Sequence, residues 1–322
     1  QLSVDNSFKT TGTKVAVYGQ FVQNFGNLKF TFGLRSDYFD MINKKFVLAP
    51  RFSSAYQILE GTTINASIGR YSQSPSYIWL VSNPINKNLK FIAVNHYILS
   101  IDQIIRKDTK VSLETYIKKY SGYPVSLTRP YLILANTGAG FGGASESFSS
   151  FGVDPLVSHG TGTSYGIELF VQKKISEIPC YGTVSVSYNV SIFKALDEVD
   201  RPSSFDQRWI INLGGGYIFD EKWEFSTKFR LATGRPFTPF DDQGNQSADL
   251  YNSKRLLTNH SLDFRVDRRW LFSNLTLITY IDIQNIYNRQ PYDVPRYDRK
   301  LQRIEENKSI GILPSIGISL EF

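Results

Sequence analysis

Thirteen charged side chains sit at alternate positions of strand-like segments. Lys29, Arg35 and Arg51 come first, then Glu114, Lys118 and Glu168, then Glu224, Lys228, Arg230, Asp263, Arg265, Asp267 and Asp282. In a strand, residues two apart share a face, so this spacing gathers the charges on one side. Their signs are nearly balanced. Such a set can do one of two things: pair with itself as a hydrated ladder, or present charge to a polar ligand or a docked domain. Other chemistries leave no trace. The three histidines, His96, His159 and His260, lie far apart with no H-x-x-x-H spacing. No G-x-S-x-G nucleophile motif is present. The glycines at 138, 140, 142 and 143 lack the G-K-[ST] ending of a phosphate loop. Cys180 is the only cysteine, which excludes an intrachain disulfide and a thiolate metal cluster. Neither an enzyme, a metal nor a cofactor is expected.

The elements that position these charges read as strands throughout, with no convincing amphipathic helix. From Leu28 to Asp40, Leu28, Phe30, Phe32 and Leu34 alternate with Lys29, Thr31, Gly33 and Arg35. Similar segments are expected at Lys14–Phe25, Phe46–Ile58, Thr62–Tyr71, Phe91–Ile105, Thr109–Leu127, Gly162–Ile175, Tyr181–Phe193, Ser204–Phe219, Trp223–Thr238, Leu257–Phe272 and Asn274–Asn288. A closing segment follows, in which Ile316, Ile318, Leu320 and Phe322 alternate with Ser315, Gly317, Ser319 and Glu321. Residues 128–160, rich in glycine and serine, read as a long surface loop. At Thr233–Pro239, Gly234, Pro236 and Pro239 cannot continue a ladder comfortably, so the strand should leave the sheet there.

One face apolar and one polar suits a barrel between lipid and water. A charge on the lipid face costs about 2–4 kcal/mol at mid-membrane, so the confinement of charge to one face supports that reading. Connections alternate between short turns and longer loops, as expected of periplasmic turns and extracellular loops. At 322 residues the chain exceeds a typical soluble domain of roughly 100–150 residues. Hydrophobic content is 41%, and no apolar run reaches the ~18 residues of a transmembrane helix. Aromatic content of 14%, with 19 Tyr and 23 Phe, fits interfacial girdles. The net charge of +7 is scattered rather than massed, so no nucleic-acid partner is expected. The sequence opens on Gln1 with Met41 as its only methionine, which points to a removed signal peptide or larger N-terminal segment.

Eight runs then carry a family likeness in order: Gly33-Leu34-Arg35-Ser36-Asp37, Ala49-Pro50-Arg51, Gly69-Arg70-Tyr71-Ser72-Gln73-Ser74-Pro75, Tyr165-Gly166-Ile167-Glu168-Leu169, Phe205-Asp206-Gln207-Arg208, Thr233-Gly234-Arg235-Pro236-Phe237-Thr238-Pro239, Ser261-Leu262-Asp263-Phe264-Arg265-Val266-Asp267 and Gln284-Asn285-Ile286-Tyr287-Asn288. Together they resemble TonB-dependent outer-membrane receptors, most closely the Bacteroidota type. The resemblance implies an all-β, antiparallel transmembrane β-barrel in the cell outer membrane. About 13–14 strands are present, as the C-terminal part of a 22-stranded barrel. Neither plug domain nor TonB box is seen in residues 1–322. It also implies uptake of a metal chelate, cobalamin or glycan, with the charged face meeting plug or substrate and Phe322 serving as a barrel-assembly signal. Implied partners are outer-membrane lipid, the barrel assembly machinery, the TonB complex through a missing N-terminal part, and a surface lipoprotein or larger outer-membrane complex. The alternative is a plug-less fourteen-stranded barrel, with Leu2–Lys9 as its extra strand, serving as a subunit of a larger assembly.

Overall fold

A computed structural model describes residues 10–134, 154–298, 300–306 and 308–322. The extra strand considered at Leu2–Lys9 and the glycines between 138 and 143 lie outside these residues. Thirteen long strands follow one another in a single antiparallel sheet: β1 (Lys14–Phe25), β2 (Leu28–Phe39), β3 (Phe46–Leu59), β4 (Thr62–Gln73), β5 (Ile92–Arg106), β6 (Thr109–Ser126), β7 (Leu156–Lys173), β8 (Cys180–Lys194), β9 (Trp209–Phe219), β10 (Trp223–Ala232), β11 (Asn259–Leu271), β12 (Thr276–Gln284) and β13 (Leu313–Glu321). Each pairs with its neighbours in chain order. Among the described residues, β1 and β13 do not pair with each other, so the sheet has two open edges.

Local sequence explains the turns. Gly26 takes the positive φ of +56° that favours glycine in the two-residue hairpin between β1 and β2. The structure places the turns at 26–27, 60–61, 107–108, 174–179, 220–222 and 272–275 at one end of the strands. The connections that follow β2, β4, β6, β8, β10 and β12 leave from the other end.

Several boundaries differ from expectation. β7 begins at Leu156, inside the stretch read as loop, and residues 156–160 pair with β6 across two register shifts. β9 starts at Trp209 rather than Ser204, because residues 203–208 turn to enclose Asp206. β10 ends at Ala232. Beyond it Gly234 lies so close to the Leu256 carbonyl that a Cβ would collide with it. β12 stops at Gln284, where Asn285 and Asn288 adopt positive φ. The expectation of no helix fails at Tyr77–Ser82, a six-residue α1 in the connection between β4 and β5. It is too short to carry a helical period, and it forms because Trp79 and Leu80 are buried there.

Burial follows two rules. On the strands, alternate apolar side chains stand exposed: Ile316 is 83% and Ile318 74% accessible. Such a surface needs lipid against it. Among the described residues, conventional core clusters gather at the loop end. Phe39, Ile42, Trp79, Leu80, Leu89, Phe91, Ile92, Leu134 and Leu156 form one cluster, and Val125, Ile133, Phe193 and Ala195 another. Fully buried Asn86 ties the first together: its amide donates to the Trp79 and Asp154 carbonyls (2.7 and 3.0 Å) and accepts from the Leu156 N–H (2.7 Å).

Candidate functional site

Cross-strand register places all thirteen charged residues on the same, polar face. One row runs directly across β2 to β8 as Lys29, Ala55, Asn65, Ser100, Glu114, Glu168 and Ser187. A second row, four residues nearer the loops, runs from β3 to β8 as Arg51, Gly69, His96, Lys118, Ser164 and Ser191. Four residues of strand separate the rows by about 13 Å. The cations of the second row are held by rings rather than by carboxylates. The Arg51 guanidinium lies 4.1 Å from the Tyr71 ring centre, the His96 ring 4.5 Å from Tyr71, and Lys118 Nζ 4.4 Å from Tyr116. Arg51 Nε is buried with no hydrogen-bond partner. In the first row Glu114 and Glu168 stand opposite each other, an arrangement of like charges that weakens a sheet.

The far end of the same face is different. Arg265 donates to Asp267 through Nε and Nη2 (2.8 and 2.6 Å) and lies over the Tyr280 ring at 3.8 Å. Arg269 pairs with Glu224 at 2.7 Å, Glu224 also accepts from the Tyr181 hydroxyl, and Arg230 approaches Asp263 at 3.8 Å. Asp282 faces Arg265 in register and accepts from Gln284 at 3.3 Å. Two pairs also form on the earlier strands, Arg35 with Asp37 at 2.6 Å on β2 and Lys110 with Asp102 at 3.0 Å across β6 and β5. Lys29, Arg51, Glu114, Lys118, Glu168 and Lys228 form no ion pair with any described residue. The self-paired ladder therefore describes only part of this face. The rest presents uncompensated charge.

Residues outside the thirteen also matter. Asp206, in the connection between β8 and β9, is fully buried. Its carboxylate accepts the Ser191 N–H (2.7 Å) and meets both Arg208 (3.2 Å) and Arg255. Arg255 also donates to the carbonyls of Asp206 and Gly234, so one side chain fastens three segments. Phe205-Asp206-Gln207-Arg208 is distinctive in sequence, but its closing partner Arg255 lies in another loop. In the 107–108 turn, Asp108 accepts from Lys173 (2.5 Å), Ser176 and Thr109, which hold its carboxyl below the usual carboxylate range. The histidines stay apart: His159 lies 3.5 Å from Glu198, and His260 Nδ1 lies 2.8 Å from the Tyr287 hydroxyl. Phe322, 97% exposed, follows directly after β13.

The sequence and fold were compared with known proteins. A family model described as "TonB dependent receptor-like, beta-barrel" matches residues 2–299. No curated protein sequence matches. Among solved structures, the FrpB iron transporter from Neisseria meningitidis superposes with a TM-score of 0.68 at 15% identity, covering 95% of this chain and 45% of that one. The ferric citrate transporter FecA gives 0.69 at 11% identity, covering 96% and 45%. The siderophore receptor PiuA from Acinetobacter baumannii gives 0.66 at 10%, covering 96% and 43%. At such identities the likeness shows the fold. The chain spans less than half the length of each of these proteins.

Proposed function

Starting from the fact that this chain belongs to the TonB-dependent receptor β-barrel family and lies in the outer membrane as an integral β-barrel, we propose that it is the C-terminal arc of a transporter that takes up a ferric chelate. The observation that carries the reading is the uncompensated charge on the polar, lumen-facing side: Lys29 and Arg51 on β2 and β3, and Glu114, Lys118 and Glu168 on β6 and β7. A wall that only had to hold itself together would gain by pairing those charges, as β10 and β11 do. Leaving them open suits a wall that meets something polar, either a plug folded from an upstream segment or a charged cargo. Three similar folds carry names that speak of iron, ferric citrate and siderophores, which favours an iron chelate over cobalamin or a glycan. In this reading the protein performs no covalent chemistry. The TonB complex acts on a segment before Gln1, and Phe322 serves barrel assembly. The unpaired edges of β1 and β13 favour further strands over a closed barrel made of these thirteen.

The test is uptake of radiolabelled ferric chelate by cells carrying the full-length gene, its deletion, or a deletion of the energising inner-membrane complex. Uptake should require both the gene and the complex. Unchanged uptake in the gene deletion, or uptake that persists without the complex, overturns the proposal.

A further inference from the structure

The expectation that charge is confined to one face does not hold: the lipid-facing side of the long strands carries cations as well. Register places Arg70, Arg106, Lys119, Lys173, Lys194 and Arg268 on that side of the long strands, and Asp200 of the short strand Asp200–Pro202, opposite Lys194, is the one acid there among the described strand residues. Lys173 is neutralised by Asp108, and Lys194 approaches Glu198 and Asp200. Arg268 is handled differently. It sits on β11 near the short-turn end, opposite Trp223 on β10 and Thr279 on β12. Its guanidinium carbon lies 3.9 Å from the Trp270 ring centre and 4.9 Å from that of Trp223. Trp270 is itself pinned by a hydrogen bond from its Nε1 to Thr279 Oγ1 (3.1 Å). Arg268 Nε is buried without a hydrogen-bond partner, and Arg268 makes no ion pair with a described residue.

We propose that Arg268, framed by Trp223 and Trp270, binds the phosphate of a glycerophospholipid in the leaflet at the short-turn end of the barrel. The inference rests on the barrel reading, which orients the short turns towards the periplasm. An isolated cation on a lipid face is costly at mid-depth and cheap near the interface, where it reaches headgroups. Two indole rings hold the planar guanidinium by cation–π attraction and fix its orientation. Tryptophan prefers this same interfacial level. With the stem held, the two Nη groups form the fork that meets two phosphate oxygens at once. No described acid pairs with Arg268, which leaves the lipid phosphate as its counter-ion.

The full-length protein, purified in detergent and stripped of lipid, would be titrated with dioleoyl-phosphatidylethanolamine, dioleoylglycerol or inorganic phosphate, and bound molecules counted by native mass spectrometry. The phospholipid should be retained about tenfold better than the phosphate-free diacylglycerol, and Arg268→Gln should remove most of that preference. Arg106→Gln, also on the lipid side but without the two tryptophans, should leave it unchanged. Arg268→Lys keeps the charge without the fork, and should lose part of the preference while migrating as a folded barrel. Equal retention of the two lipids, or no effect of Arg268→Gln, overturns the proposal. So does inorganic phosphate that binds through Arg268 as well as the lipid does, because the site would then serve a free anion.

Discussion

Strands β2 to β7 and strands β10 to β12 line the same polar face, yet their central rows treat charge differently. The earlier group pairs Arg35 with Asp37 nearer the loops and Lys110 with Asp102 nearer the turns, but not the two rows between. In the later group Arg230, Arg265 and Arg269 each approach a carboxylate of the wall. In the earlier group Arg51 and Lys118 rest on tyrosines, and Glu114 faces Glu168. The connections above them reverse the pattern. Over the early strands, α1 and its neighbours form an apolar cluster around Trp79 and Leu80. Over the later ones a buried carboxylate, Asp206, is clasped by two arginines. A β-wall can satisfy its polar face internally or leave charge for a partner. Most of the later arc does the first, and the two central rows of the earlier arc do the second.

The largest effect that sharpens the contrast is expected from Asp206→Ala. Removing one member of a buried charge cluster costs about 3–5 kcal/mol, since Arg208 and Arg255 lose their counter-ion. Amide exchange in the full-length protein should accelerate across 195–208 and 233–258 while β2 to β7 stay protected. Exchange that speeds equally over α1 would show that the two caps are one cooperative unit, and the contrast between arcs would fail. Leu80→Ala is the matching probe over the early strands. Leu80 is 2% exposed, so the truncation should cost about 3 kcal/mol by cavity formation and loosen 74–91 instead.

Much of this was legible in the sequence, and the reasons differ by region. Alternation at Leu28–Arg35 or Val184–Ile192 assigns both faces, because lipid and water impose opposite demands on successive residues. All thirteen charges therefore fell on one side. Pairing was not legible. Arg265 and Asp267 are two residues apart on one strand, as are Arg35 and Asp37, whereas Arg269 finds Glu224 across a strand pair whose register no local pattern fixes. The loop end was least legible. Arg255 reaches Asp206 across 49 positions, and α1 exists because Trp79 and Leu80 find a pocket rather than because six residues prefer a helix.

A smaller effect comes from the paired arc. A double-mutant cycle on Arg265 and Asp267 should show a coupling of about 1 kcal/mol, since the pair is bidentate but partly exposed. The same cycle on Arg51 and Glu114, in different rows and on strands that are not neighbours, should read near zero. Comparable couplings would mean that the early arc is paired after all in the assembled protein. Acid provides a further check at the turn end. Asp108 titrates below its ordinary value because of Lys173, Ser176 and Thr109, so its contribution is complete above the unfolded carboxylate pKa. It should fade as pH falls through the lower folded value. Asp108→Asn should flatten the acid limb of the stability curve, and an unchanged limb would remove Asp108 from the account.

The smallest expected effect is the most telling. Glu114 and Glu168 face each other with no cation in contact, and like charges directly opposite on adjacent strands oppose pairing. Glu114→Gln keeps the shape of the side chain and removes one charge, so the isolated barrel should gain a few tenths of a kcal/mol. In the later arc the equivalent exchange, Asp267→Asn, should lose stability, because it strips Arg265 of its partner. If the carboxylate pair is held for a plug or cargo, the Gln variant should be slightly more stable and yet weaker in chelate uptake at equal abundance in the outer membrane. A wall tuned for stability alone would not keep that pair, since selection can retain a locally unfavourable arrangement where function uses it. A Gln variant that is less stable, or one that transports normally, would place Glu114 with the structural ladder and erase the difference between the arcs.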